Sequence, residues 1–203
     1  MPITGLPVFS MPLDLTILKF INVTIANPAF DIFFGNIGDF RLWALPILAA
    51  VILLLWKGGP RGRWLVAIAL ITVILVDSSI HLIIKPLFAR PRPCHAEPAI
   101  TWLRLIAGCG GKYGFPSSHA ANTFSQAVVV GAFYKRSRLY MLIFAVLVSI
   151  SRVYLGAHYP LDVFAGAIYG AIIGSLVFYL AKALAPKKFA ICFMTPSIPE
   201  KGD

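Results

Sequence analysis

Five long apolar runs, at 42–56, 64–84, 120–134, 139–159 and 161–181, are separated by short polar or basic stretches. Each run is continuously apolar rather than alternating, which predicts membrane helices and not the strands of a barrel. Crossing a bilayer takes about 20 helical residues, in a range of about 17–25. The pattern therefore predicts an all-α integral membrane protein with a bundle of about five transmembrane helices. The first and third runs are short, so they are expected to recruit flanking polar residues or to pack against their neighbours.

Upstream, 13–26 is apolar but carries Asp14, Lys19 and Asn22, and Asn27-Pro28 interrupts it. That favours a helix lying at the membrane interface, with a sixth span as the alternative. No basic start precedes this run and no convincing cleavage site follows it, so a signal peptide is not expected. One domain over 1–203 is predicted, with an N-terminal interfacial segment at 1–40, a catalytic bundle at 41–185 and a cytoplasmic tail at 186–203.

Composition agrees with the pattern. Hydrophobic residues make up 59% of the 203 and charged residues 13%, against about 45–50% and about 25% in soluble domains. The net charge of +10 is not gathered on a soluble basic face, so nucleic acid is not an expected partner. Instead the cations sit between the runs. Lys57, Arg61 and Arg63 follow the first, Lys135, Arg136 and Arg138 follow the third, and the tail holds Lys182, Lys187, Lys188 and Lys201. Positive-inside bias places these in the cytoplasm. Lys85, Arg90, Arg92, Arg104, Lys112 and Arg152 then share the outer, periplasmic face of an inner membrane.

The longest polar connection, 86–115, lies on that face. It holds Cys94 and Cys109, which are either bridged in an oxidising periplasm or two free thiols. His95 is nearby without paired ligand spacing, so no metal is predicted. Gly166, Gly170 and Gly174 recur every four residues, a spacing that lets helix backbones approach. Packing within the bundle and dimerisation both use it, and no oligomeric state is assigned.

Three segments on the outer face carry chemistry. In the third, His158 and Asp162 flank Pro160, a good first-turn residue. A carboxylate beside an imidazole can fix its tautomer, and such an imidazole can act as a nucleophile. Alone, such a pair is more often a structural hydrogen bond than a catalytic dyad. Arg152 precedes it and can bind phosphate bidentately or snorkel to headgroups. In the first segment Lys85 and Arg92 are spaced by prolines that stiffen the chain, with Arg90 a competing second cation. In the second, Ser117, Ser118 and His119 open the third helix. Helix-start amides and hydroxyls bind anions, with simple capping as the bland account, and His119 is placed to protonate a leaving oxygen. Asp77 and His81 lie at i and i+4 below Lys85, either orienting it or holding the bundle.

The combined pattern Lys-x6-Arg-Pro, Pro-Ser-x-His, Ser-Arg-x5-His-x3-Asp, over Lys85 to Asp162, resembles the type 2 phosphatidic acid phosphatase (PAP2) superfamily, in its membrane branch. The resemblance implies His158 as nucleophile, Asp162 as its partner and His119 as acid. It implies that Lys85, Arg92, Ser117, Ser118 and Arg152 hold the phosphate, with no metal or other cofactor. Ser118 departs from the family, which usually has glycine there; serine keeps the N–H and adds a side chain. The expected activity is release of phosphate from a membrane lipid phosphate or diphosphate. Undecaprenyl diphosphate is the first-choice substrate, with phosphatidylglycerophosphate, phosphatidic acid and lipid A phosphate as alternatives. A lipid-phosphate binding or transport protein is the non-enzyme alternative. A haloperoxidase would use the same pocket, but those relatives are soluble.

Overall fold

The computed structural model describes residues 12–194, and its regular elements are helical. In order they are α1 (Pro12–Lys19), α2 (Pro28–Ile37), α3 (Phe40–Lys57), α4 (Gly59–Ser79), α5 (Lys85–Phe88), α6 (Ser118–Phe133), α7 (Arg138–Tyr154), α8 (Pro160–Leu184) and α9 (Pro186–Met194). Local chemistry sets several starts. Asn27 accepts from Phe30 N ahead of Pro28, and Asp39 accepts from Arg41 N. Asp162 accepts from Tyr159 N two residues after Pro160 opens α8. Each satisfies an amide that the first helical turn leaves unpaired.

Among the described residues, four helices are long and apolar enough to span a membrane: Phe40–Lys57, Gly59–Phe88, Lys135–Tyr154 and Pro160–Leu184. The second runs through a wide π-type turn, Ile80–Ile84, directly before Pro86. Proline cannot donate to the ladder of a regular helix, and the widened turn carries the chain past it, one turn further than the predicted end at 84. The fourth apolar run, in contrast, stops being helical early. Residues 155–159 are a turn rather than helix, because Gly156 takes a φ of 75° and Pro160 starts the next element.

The third run forms the shortest of the central helices, α6, at 16 residues. At 1.5 Å per residue it is about 24 Å long. It packs between α4, α7 and α8, and Ala120, Ala121, Val129 and Phe133 are fully buried. The predicted glycine stripe lies on the face of α8 that meets α6. A Cβ at Gly166 would strike Ser117 O and one at Gly170 would strike Ala121 O, while one at Gly174 would lie 2.8 Å from Ser125 O. Backbone thus meets backbone at three successive turns.

The amino-terminal run is helical to Thr24 through a second wide turn, then bends by 115° into α2. The two pieces together are apolar enough for a broken span or a re-entrant loop. Leu18 packs with Val153 and Tyr159, so α1 lies against the ends of α7 and α8 where the three motif segments meet. At the opposite end α9 seats Phe189 among Leu65, Ile68, Phe133 and Val177. The first part of the predicted tail is therefore docked helix, and Lys201 lies outside the described residues.

Candidate active site

The outer loop is framed by a short ladder. α5 ends at Ala89, whose φ of 46° is left-handed. Arg92 N then donates to Lys112 O at 3.0 Å and Gly114 N to Arg90 O at 2.9 Å, around an antiparallel bridge between Pro91 and Tyr113. Cys94 and Cys109 form a disulfide beside it, with Cα atoms 6.2 Å apart. These two sulfurs and His95 lie within 4.8 Å of one another, but sulfurs bonded to each other are not thiolate ligands.

Residues two apart on an extended segment share a face. Arg90 and Arg92 accordingly both turn toward the start of α8. Arg92 Nη1 lies 3.1 Å from His158 Nε2 and 3.2 Å from Ala157 O. Arg90 Nη1 donates to Asp162 Oδ1 at 2.6 Å, and its other nitrogen pairs with Asp14. Arg90 is thus engaged by two carboxylates. Of the two guanidiniums, Arg92 is the one that faces His158 Nε2.

A guanidinium has donors only. His158 Nε2 must therefore be the acceptor, its lone pair toward Arg92 Nη1, and Nδ1 carries the proton toward Asp162 Oδ2 at 3.4 Å. The same Oδ2 accepts from Tyr159 N at 3.1 Å. Both oxygens of this fully buried carboxylate are held. Burial pushes the His158 imidazole down to about 4, outweighing the upward pull of the Asp162 hydrogen bond. Near neutral pH the ring is uncharged and nucleophilic.

Around Nε2 the other predicted residues converge. Lys85 Nζ is 3.5 Å from Ser118 Oγ, so the serine at the departing position engages the lysine rather than crowding it. Ser117 does not cap α6, and its Oγ is buried without a partner. Its N–H donates to Asp162 O at 2.9 Å and is not available to an anion. The first-turn amides of Ser118 and His119 remain, since they lack intrahelical partners. Arg152 is 9% exposed and its Nε donates to Ser151 Oγ at 3.3 Å. Its backbone oxygen accepts from Ala157 N and His158 N, joining the end of α7 to the histidine turn. His119 is exposed at the mouth, with Arg152, His158, Arg92 and Lys85 as its charged neighbours.

Asp77 and His81 lie near enough to Lys85 for their charges to act on it. They lie 3.7 Å from each other, half-exposed on α4, and Asp77 accepts from Asn122 at 3.2 Å. Neither hydrogen-bonds Lys85 among the described contacts.

Sequence reasoning missed Asp14 and Gly38. Asp14 read as the polar face of an interfacial helix, although an acid inside an apolar run is itself a signal. Gly38 sits against the guanidinium of Arg152, where a Cβ would collide with it; nothing in the local sequence announces that contact. Chemically, Arg92 and Lys85 beside the His158 imidazole and Arg152 beside His119 are cations that can hold a phosphate dianion and stabilise charge developing on its oxygens.

The sequence model of the PAP2 superfamily matches residues 63–185. The chain is 32% identical to a lipid A 4'-phosphatase of Bacteroides thetaiotaomicron, over 88% of this chain and 81% of that one. It is 29% identical to the undecaprenyl-diphosphatase BcrC of Bacillus subtilis, over 71% of this chain and 72% of that one. Among solved structures it is similar to Aquifex aeolicus LpxE, with a TM-score of 0.64 at 25% identity, over 88% of this chain and 99% of that chain.

Proposed function

The chain belongs to the PAP2 superfamily, and on that premise we propose that it releases phosphate from a membrane lipid through a phosphohistidine at His158, without a metal. It is an integral membrane phosphatase; the mechanism, substrate and sidedness are the parts proposed. The observation that carries the mechanism is the neutral His158, with Nδ1 toward Asp162 and Nε2 facing Arg92. In the first step Nε2 attacks phosphorus, the P–O bond to the lipid breaks, and His119, its protonated form favoured once the phosphate dianion offsets the surrounding cations, gives its proton to the departing oxygen. Asp162 balances the positive charge of the phosphorylated ring. In the second step water passes a proton to His119 and attacks phosphorus. The N–P bond then breaks, inorganic phosphate leaves, and His158 is neutral again. Lys85, Arg92 and Arg152, with Ser117 and the α6 amides, neutralise the phosphoryl oxygens throughout.

A phosphate ester on a lipid A-type saccharolipid is the leading substrate, because the lipid A 4'-phosphatase aligns with most of the chain. Undecaprenyl diphosphate, expected from sequence, is the second reading, favoured by the likeness to BcrC. The basic linkers and the docked tail favour a site at the periplasmic face of an inner membrane.

The test is phosphate release by purified protein in EDTA from four lipids: lipid A 4'-phosphate, undecaprenyl diphosphate, phosphatidylglycerophosphate and phosphatidic acid. Fastest turnover on lipid A 4'-phosphate supports the first reading, and none on that lipid with turnover of undecaprenyl diphosphate replaces it with the second. Turnover by folded His158→Ala, or its abolition by EDTA in wild type, overturns the mechanism.

A further inference from the structure

We propose that Asp14 and Arg90 are positioning residues of the active site: an ion-pair chain from α1 through Arg90 holds Asp162 against His158. The proposal goes beyond the reading above, in which neither residue has a part, and rests on His158 as the reacting group.

The chain is continuous and buried. Side-chain exposure is 4% for Asp14, 8% for Arg90 and 0% for Asp162. Arg90 Nη1 donates to Asp162 Oδ1 at 2.6 Å, and Nη2 donates to Asp14 Oδ2. Asp14 uses its other oxygen to accept from Leu161 N at 2.8 Å, the residue directly before Asp162. Asp14 therefore grips Asp162 twice, through Arg90 and through the first turn of α8. The guanidinium lies over the Tyr159 ring, 4.4 Å from its centroid, which blocks sideways movement. A carboxylate with no exposure needs its lone pairs filled and its charge balanced. His158 and Tyr159 fill Oδ2, and only Arg90 is placed on Oδ1 among the described hydrogen bonds. Without it, Oδ1 would lose its partner and the carboxylate would be held only through Oδ2.

The two guanidiniums of the 90–92 segment thus divide the dyad between them. Arg92 faces the nitrogen that meets phosphate, and Arg90 faces the carboxylate behind the ring. A planar fork can reach two carboxylates at once, whereas an ammonium cannot reproduce that geometry. The charged and titratable groups facing His158 are Asp162 on α8, Arg92 on the loop, Lys85 on α5 and His119 on α6; Arg90 and, behind it, Asp14 on α1 act on it through Asp162, and Arg152 on α7 acts on His119.

The experiment compares wild type with Arg90→Gln, Arg90→Lys, Asp14→Asn and His158→Ala. Each is purified as the full chain and assayed across pH on whichever of the four lipids wild type hydrolyses fastest. Arg90→Gln should lower kcat by about tenfold or more, as loss of a partner that orients a reacting histidine's neighbour does, while KM stays near wild type. Asp14→Asn should lower kcat less. The acid limb of the kcat profile should move in opposite directions. Loss of the Arg90 cation favours the imidazolium and moves the limb up, whereas loss of the Asp14 anion moves it down. Arg90→Lys keeps the charge, so its limb should stay in place while kcat still falls. A merely structural role would move neither limb. Folded Arg90→Gln or Asp14→Asn with wild-type kcat, or lowered kcat with unmoved limbs, overturns the proposal. If Arg90→Gln does not fold, the near-isosteric Asp14→Asn decides alone. Turnover by His158→Ala defeats the nucleophile instead, which separates that failure from failure of the positioning chain.

Discussion

Arg92 Nη1 stands 3.1 Å from His158 Nε2, the nitrogen proposed to attack phosphorus. On that proposal an arriving phosphate would draw this guanidinium from the ring, so that binding the substrate and freeing the nucleophile would be one event. Arg92→Ala should therefore reduce kcat/KM by about 100-fold or more, the scale of losing an oxyanion donor. Arg92→Lys should recover only part, since one ammonium lacks the fork. Steady-state phosphate release checks both.

The acid side of the pH profile follows from His158. With the imidazole held near 4 by burial, the nucleophile stays unprotonated well below the usual histidine range, and kcat/KM should fall only as pH approaches about 4. Stability has its own sign. An unfolded histidine takes up a proton near 6.5, whereas the folded one resists until about 4. The unfolded state thus binds more protons in this window. The contribution is complete above about 6.5 and is lost as pH falls from there through about 4. Melting temperature in detergent should decline across that range in wild type, and less steeply in His158→Asn.

Gly38→Ala tests the contact with Arg152. The φ of −91° at Gly38 is open to alanine, so the backbone is not strained. The new methyl would occupy the place of Arg152 Nη2 and push the guanidinium aside. The expected outcome is a protein melting within a few degrees of wild type, with a defect in kcat/KM approaching that of Arg152→Ala. Wild-type kinetics in Gly38→Ala would mean that Arg152 has another productive position.

The α6–α8 contact is tested at Gly170, where a Cβ meets Ala121 O. Gly170→Val should destabilise by about 1–3 kcal/mol through overpacking. It should also lower turnover, because Ser117 N bonds Asp162 O across the same two helices. Thermal unfolding and activity are measured on one preparation; a loss of stability with unchanged turnover would uncouple the helix contact from the site.

The disulfide is tested by reduction. Cys94 and Cys109 are 15 positions apart, and the chain-entropy estimate for a loop of that size is about 3 kcal/mol. Reduction should lower the melting temperature of wild type and leave Cys94→Ser unchanged.

Much of the site could be read from the sequence because its chemistry sits in short spacings. His158 and Asp162 straddle one helix start, and Ser117 to His119 open another, so local rules place them at helix ends. The partners of Arg90 could not be read in this way. Asp14 and Asp162 lie 76 and 72 positions away from it, and Arg90 and Arg92 offer the same side chain on the same face of one extended segment. Only the packing of α1 against α8 distinguishes them. The end of α7 was missed for a different reason. Leu155 to Tyr159 continue the apolar run, and hydropathy does not register the left-handed turn at Gly156. The brevity of α6 was visible at once, but its shelter between α4, α7 and α8 was not.

That brevity has a consequence for where the reaction happens. A 16-residue helix is about 24 Å long, roughly 6 Å less than the hydrocarbon thickness of an average bilayer. Ser118 and His119 begin this helix, so they cannot stand at the lipid–water boundary while the other end of α6 reaches the opposite one. Either the leaflet dimples around the protein or the phosphate descends to meet the cations, as hydrophobic mismatch requires. In both cases a lipid would meet the site from within its leaflet, and turnover should then vary with membrane thickness.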